Sequence, residues 1–308
     1  MNGAHELKFA ADDLPYLYKV ANQASLSGQR HYLLTLRADL AVLVAGTALG
    51  AVSSLPEKIA RLNYALAAVL FVTGFILTLV LLVKNFDRKW YGGRAAAESV
   101  KTLAWKYAVR AEPFEGADPA LVDQQFIAAL ESVLRQRDTL SIEDETADTT
   151  RQQITPVMRV LRSQSVQARR DVYSRDRIGN QRSWYQDRAR FNAKNGRKFF
   201  VFVLLSQFLA VGYSVTLVAV PSIPFNATGV LAIAAASFLV WMQAKQYQEL
   251  SQVYTLTAQE LALAVESGRH ISTDDQLSRF VSDTENAISR EHTLWSARRD
   301  HLPRLSRI

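Results

Sequence analysis

The side chains able to do chemistry fall into three groups. Arg94, Glu98, Lys101 and Trp105 stand within twelve residues, with Glu98 four positions after Arg94 and Lys101 three after Glu98. On a helix this spacing makes an exposed ion pair worth about 0.2–0.5 kcal/mol, with Trp105 packed on a neighbour. The sharper alternative makes it a joint that carries a signal between elements, which requires something with two arrangements. A second group comprises Arg177, Gln181, Trp184 and Tyr185, with Glu291 and Trp295 far downstream. In the third, Ser206, Gln207, Tyr213 and Ser214 interrupt an apolar run, where they either hydrogen-bond packed helices or line a wetted path.

None of these is a catalytic constellation. The chain has no cysteine, which removes thiolate nucleophiles, thiolate metal sites and disulfides. His5, His31, His270, His292 and His301 are scattered, with no pair spaced to hold a metal from one helix face. There is no nucleophile–base pair and no phosphate loop. The sequence predicts no enzyme activity, cofactor or metal.

Charge suggests partners instead. Ten basic residues between Arg169 and Lys198 face only Asp171, Asp176 and Asp187. Anionic lipid, nucleic acid and a nucleotide signal could each answer that excess. Nucleic acid is not expected, since no reader module accompanies the charge. Arg190 to Lys198 adjoin an apolar block and favour lipid.

The elements that must position these groups follow from segregation of apolar residues. A mean hydropathy of −0.03 conceals long uncharged blocks. No charge occurs from Phe199 to Ala244, too long a run for one buried helix in a water-soluble domain. Pro221 and Pro224 divide it, giving spans at about 199–220 and 227–242. Tyr64 to Val83 is equally free of charge and forms a span at 64–83. Leu40 to Leu55, short and rich in alanine and glycine, supplies a fourth span at 40–55 with Arg37 and Asp39 at its entrance. Gly46 and Gly50 offer a face for close helix approach.

Outside these blocks the pattern is helical. Asp13-Leu-Pro15, Asp118-Pro119 and Thr155-Pro156 mark helix starts, and Thr273 to Gln276 reads as a capping box. Leu121, Phe126, Leu130, Val133 and Leu134 set the apolar face of one helix. Beyond Met242 the periodicity predicts one unbroken helix running to Gly268. Acidic Ser141 to Thr150 carries no periodicity. The fold expected is all-α and integral to a membrane, with four transmembrane helices as two hairpins and long cytoplasmic helical extensions. Its domains are 1–140 and 153–308, each with two spans, joined by an acidic linker at 141–152.

Lys84, Arg88, Lys89 and Arg94 follow the second span, and Arg188, Arg190, Lys194, Arg197 and Lys198 precede the third. By the positive-inside rule both termini and the central segment are cytoplasmic, with Trp90, Tyr91 and Trp241 at the interface as belt aromatics. The polar start lacks the pattern of a cleaved signal peptide, so the first span is expected to direct insertion.

Two stretches carry a family resemblance. Trp90-Tyr91-Gly92-Gly93-Arg94-Ala95-Ala96-Ala97-Glu98-Ser99-Val100-Lys101, followed by Trp105 and Tyr107, resembles the post-hairpin motif of SLATT domains, bacterial two-transmembrane modules associated with nucleotide-dependent conflict systems. Tyr173-Ser-Arg175-Asp176-Arg177, Gln181, Trp184-Tyr185 and Glu291-His-Thr-Leu-Trp295 resemble another SLATT subtype. The resemblance implies a tandem membrane effector of the bacterial inner membrane that forms a pore or disrupts the bilayer and halts an infected cell. Its partners would be the lipid bilayer, further copies of itself as a homo-oligomer, and an upstream nucleotide signal or sensor protein. A constitutive channel or transporter, or a membrane scaffold, is the alternative. Transporters usually mark their spans with ionisable residues or broken helices, and the spans as predicted contain neither.

Overall fold

A computed structural model describes residues 7–135 and 152–301, with side chains through residue 289. The predicted linker at 141–152 therefore lies almost wholly outside the described residues, as do the side chains of Glu291 and Trp295. In chain order the helices are α1 (Tyr16–Gly50), α2 (Glu57–Lys84), α3 (Phe86–Ala108), α4 (Pro119–Arg135), α5 (Pro156–Arg162) and α6 (Val166–Val172). A π-helical segment, Tyr173–Gly179, leads into α7 (Asn180–Ala219), followed by α8 (Ala227–Lys245), α9 (Tyr247–Gly268) and α10 (Asp274–His301). Among the described residues there is no β-strand, only an isolated bridge between Val52 and Phe225. The fold is all-α and of membrane type, with four helical stretches long and apolar enough to cross a bilayer.

Several start signals act as their chemistry requires. Thr155 Oγ1 accepts the Met158 amide at the start of α5, and Thr273 and Gln276 exchange the reciprocal bonds of a capping box ahead of α10. Asp118 Oδ1 accepts the Ala120 amide before α4. On that helix the buried face is Val122, Phe126 and Leu130, with Val133 half-buried, whereas Leu121 and Leu134 are exposed, a correction at both ends of the predicted face. Asp13 is a second correction. Its carboxylate accepts the Ala10 amide and closes the preceding 3₁₀ turn, Ala11–Asp13, instead of capping α1.

The chain divides into two compact units, one of 1–29, 87–187 and 253–308 and one of 30–86 and 188–252. The latter, the span unit, contains both hairpins. Its turns are stitched together: Ser53 N and Oγ both donate to Pro224 O, and Asn226 N donates to Ala51 O. Past the last turns of the helices, these backbone groups find their partners across the two turns.

The span unit revises the first span. Helix α1 ends at Gly50, and 20 residues of helix, about 30 Å, reach back from there to about His31. Asp39 is accordingly inside the span rather than at its entrance. It is buried against α2, where Oδ2 accepts the Thr78 hydroxyl at 3.3 Å and Gly74 leaves room beside Oδ1. Arg37 lies over the Trp241 ring at 4.6 Å. The glycine pair does not form one face. Gly46 meets the Phe71 ring within its own hairpin, and Gly50 has no neighbour close enough for a Cβ to touch.

The unbroken helix expected beyond Met242 is interrupted. Gln246 adopts the left-handed conformation, with φ 49° and ψ 40°, and separates α8 from α9. Asn85 does the same between α2 and α3, with φ 46° and ψ 42°. Lys84-Asn85-Phe86 and Lys245-Gln246-Tyr247 are therefore equivalent corners. In each the aromatic folds back on the opposing helix, Phe86 stacked on His31 and Tyr247 stacked on Phe199. No glycine marks either corner, which is why the sequence reads as continuous there.

Candidate coupling site

The other compact unit, of 1–29, 87–187 and 253–308 and here called the polar unit, buries an ion pair. Arg177, on the π-helical segment, presents Nε and Nη2 to the two oxygens of Glu285 on α10 at 2.8 and 2.7 Å, with both side chains sealed from solvent. Glu285 also accepts the Tyr173 hydroxyl at 3.0 Å and the Thr102 hydroxyl at 2.7 Å. Four donor contacts on one carboxylate offset the cost of taking it out of water. Burial by itself would raise the Glu285 pKa, but the Arg177 charge and these hydrogen bonds hold it below the ordinary value. The Arg177 guanidinium is likewise held protonated by Glu285 against the effect of burial. Tyr173 is pushed well up by burial and by the adjacent carboxylate.

Glu98 and Lys101 of α3 stand 3.7 Å apart beside this pair, with side chains 13% and 16% exposed. The exposed pair expected from spacing is thus mostly buried. The Lys101 pKa is lowered by burial first, and its environment includes the charges of Glu98, Arg177, Glu285 and Arg94. Tyr18 on α1 is raised by burial and by Glu98, with Arg94 and Arg177 opposing. Arg94 lies over the Trp184 ring at 5.5 Å, and Trp184 and Tyr185 both pack edgewise or tilted on Tyr254. Trp105 is buried between Phe9 and Tyr173, at ring distances of 4.5 and 5.6 Å. Arg94, Glu98, Lys101 and Trp105 of the first motif therefore share one core with Arg177, Trp184 and Tyr185 of the second. Gln181 is half-buried on the first turn of α7.

The glycines of the motif have a packing reason. A Cβ on Gly93 would lie 2.7 Å from Ser25 N and 2.9 Å from Ala21 O, so α3 touches α1 backbone to backbone. Ser25 Oγ donates to Trp90 O at the same contact, and Trp90 is buried rather than set out as a belt aromatic. Trp241 is buried as well.

Residues 15–170 match the family described as SMODS and SLOG-associating 2TM effector domain 3, and residues 173–295 match its domain 1. The chain is a tandem SLATT-domain protein. SLATT domains are two-transmembrane effector domains associated with bacterial conflict systems. Neither a curated protein nor a solved structure matches the chain. The boundary between the two SLATT regions, at residues 170–173, falls where α6 passes into the π-helical segment that supplies Tyr173 and Arg177.

Three members of this SLATT core escaped sequence reasoning. Glu285 follows Leu277 and Val281 at four-residue steps, so a carboxylate on an otherwise apolar stripe was the signal that could have found it. Thr102 gives no such signal. Arg169 is also buried, its guanidinium donating to Val109 O, Gln164 O and Asp274 Oδ1. Among the described residues no group of His, Asp or Glu is placed to hold a metal.

In the span unit the four polar candidates are not brought to one surface. Ser206 is buried and Gln207 points outward. Tyr213 donates to Phe225 O, and Ser214 bonds to Ala210 O and to Thr228 Oγ1.

Proposed function

We propose that this tandem SLATT protein is a non-enzymatic effector of antiviral defence in the bacterial inner membrane, with both termini in the cytoplasm. A nucleotide signal or an upstream sensor protein triggers it, and homo-oligomers of its span unit then open a pore or disrupt the bilayer. The observation that carries this reading is the apolar surface of the spans. Only 11–17% of each span window is buried within the chain, and Phe208 and Val218 are 75% and 85% exposed. Lipid or neighbouring copies must cover that surface.

Asp39 favours a second reading. A buried carboxylate inside a span, with Oδ1 unpartnered among the described residues, is a feature of ion and proton pathways, and suits a constitutive channel or transporter. The two separate in one experiment. Full-length protein in liposomes should leak dye or ions, and expressed in cells it should arrest growth, only when the trigger is supplied. Conductance independent of any trigger, and abolished by Asp39→Asn, would establish the channel reading instead.

A further inference from the structure

Within the span unit α1, α7 and α8 enclose a groove of about 780 Å³, inside the range of about 300–1,000 Å³ typical of ligand sites. One end carries Arg37 and Lys198 beside Trp241. The walls beyond are hydrocarbon, with Leu40, Val44 and Ala45 on one side and Phe199, Ala234 and Phe238 on the other. From Arg37 to Ala45 the groove follows α1 for eight residues, about 12 Å. Its chemistry is therefore that of a cationic head site continued by an apolar slot.

Among the described residues no carboxylate neutralises the head site. Among the described residues neither Arg37 nor Lys198 pairs with a carboxylate: Arg37 lies over Trp241, and Lys198 sits 5.7 Å from the Phe202 ring. Lys245 adds a third positive charge within electrostatic range of Arg37. The span unit carries eleven Lys and Arg against Asp39, Glu57 and Glu249. Of those carboxylates Asp39 is buried in its hairpin and Glu57 pairs with Arg61 at the turn. Glu249 lies on α9, past the end of α8, so a second copy docking through its spans would bring no carboxylate other than the engaged Asp39 and Glu57.

We propose that the groove binds one anionic phospholipid, its phosphodiester on Arg37 and Lys198 and an acyl chain along the Leu40 to Ala45 wall. A guanidinium fork fits two phosphate oxygens, and the ammonium supplies a point charge beside it. The adjoining surface of α7, with Arg190, Lys194 and Arg197, is basic too and draws anionic headgroups toward the site. A soluble phosphate compound would leave the apolar walls uncovered.

The test is native mass spectrometry of the full-length protein in mild detergent, titrated with phosphatidylglycerol or phosphatidylcholine. One phosphatidylglycerol should be retained with about tenfold preference. Arg37→Gln with Lys198→Gln should remove the preference, Ala45→Phe should block retention with the charges intact, and Lys58→Gln at the far turn should change nothing. Equal retention of the two lipids, or an undiminished preference in the double variant, would overturn the proposal. Displacement of the lipid by glycerol 3-phosphate as effectively as by phosphatidylglycerol would assign the site to a free phosphate instead.

Discussion

Arg177 and Glu285, 108 positions apart, face each other through two parallel hydrogen bonds in the polar unit, with both side chains fully buried. One comes from the π-helical segment and the other from α10, so the pair fixes the register of two elements that share no sequence neighbourhood. Breaking it leaves a buried charge unanswered, whereas replacing both groups with apolar ones of similar volume does not.

Glu285→Ala and Arg177→Met should each therefore destabilise the protein by about 3–5 kcal/mol, and the double variant Arg177→Met with Glu285→Leu should recover most of that loss. Thermal unfolding in detergent measures it. The pH dependence has a definite sign. The folded pKa of Glu285 lies below its ordinary value, so its stabilisation is present above about pH 4.5 and disappears as the pH falls through the folded value. The wild type should lose stability on acidification in that range, and the double variant should lose less.

Glu98 gives the test of coupling. Because its side chain is mostly buried beside Lys101, truncation to alanine mixes a folding cost with any signalling role. Glu98→Gln keeps the shape and removes the charge. Triggered growth arrest should be lost in Glu98→Gln while membrane insertion persists, and adding Lys101→Met, which removes the unanswered charge, should recover the thermal midpoint without recovering arrest. Retained arrest would reduce the cluster to a packing role.

The spans were legible because hydropathy needs only composition, and the caps because Thr155, Asp118 and Thr273 act on their own local backbone. Asp39 was misplaced because its partners, Thr78 and Gly74, lie on another helix, and a charge next to an apolar block reads as a boundary. The core at Arg177 was visible as a motif, but not its depth. Spacing in one helix reports which residues share a face, not what covers that face.

The two left-handed corners make a further prediction. Asn tolerates positive φ better than Gln does, and glycine best of all. Gln246→Gly should leave stability unchanged or raise it slightly, whereas Gln246→Val should cost about 1–2 kcal/mol by forcing a β-branched side chain into that conformation. Asn85→Gly should also be tolerated. Chemical denaturation of the detergent-solubilised variants would rank them, and a stable Gln246→Val would mean that α8 and α9 can join as one helix.

Topology can be mapped with single cysteines, since the chain contains none. The bonds from Ser53 to Pro224 and from Asn226 to Ala51 hold both hairpin turns on one side of the bilayer, so Glu57→Cys and Ser222→Cys must label together. Charge bias predicts that side to be outside, with His5→Cys and Leu305→Cys protected from an impermeant thiol reagent in intact cells. The inverse pattern would reverse the orientation. Labelling of only one turn would contradict the stitched arrangement.

Oligomeric permeation singles out Gln207. Of the four polar residues in the third span, Ser206 is buried and Tyr213 and Ser214 are bonded within the chain, which leaves Gln207 as the one directed outward. An exposed amide in hydrocarbon costs several kcal/mol, unless it meets water or a partner's polar group. Assembly around a common axis would supply both. Gln207→Leu should reduce triggered liposome leakage without impairing insertion, while Ser206→Ala and Ser214→Ala should have smaller effects. Mass measurement in detergent should show wild type above monomer mass once triggered and Gln207→Leu shifted toward monomer. Leakage from a strictly monomeric wild type would eliminate the assembly, and undiminished leakage from Gln207→Leu would place the conducting surface on another face of the hairpins.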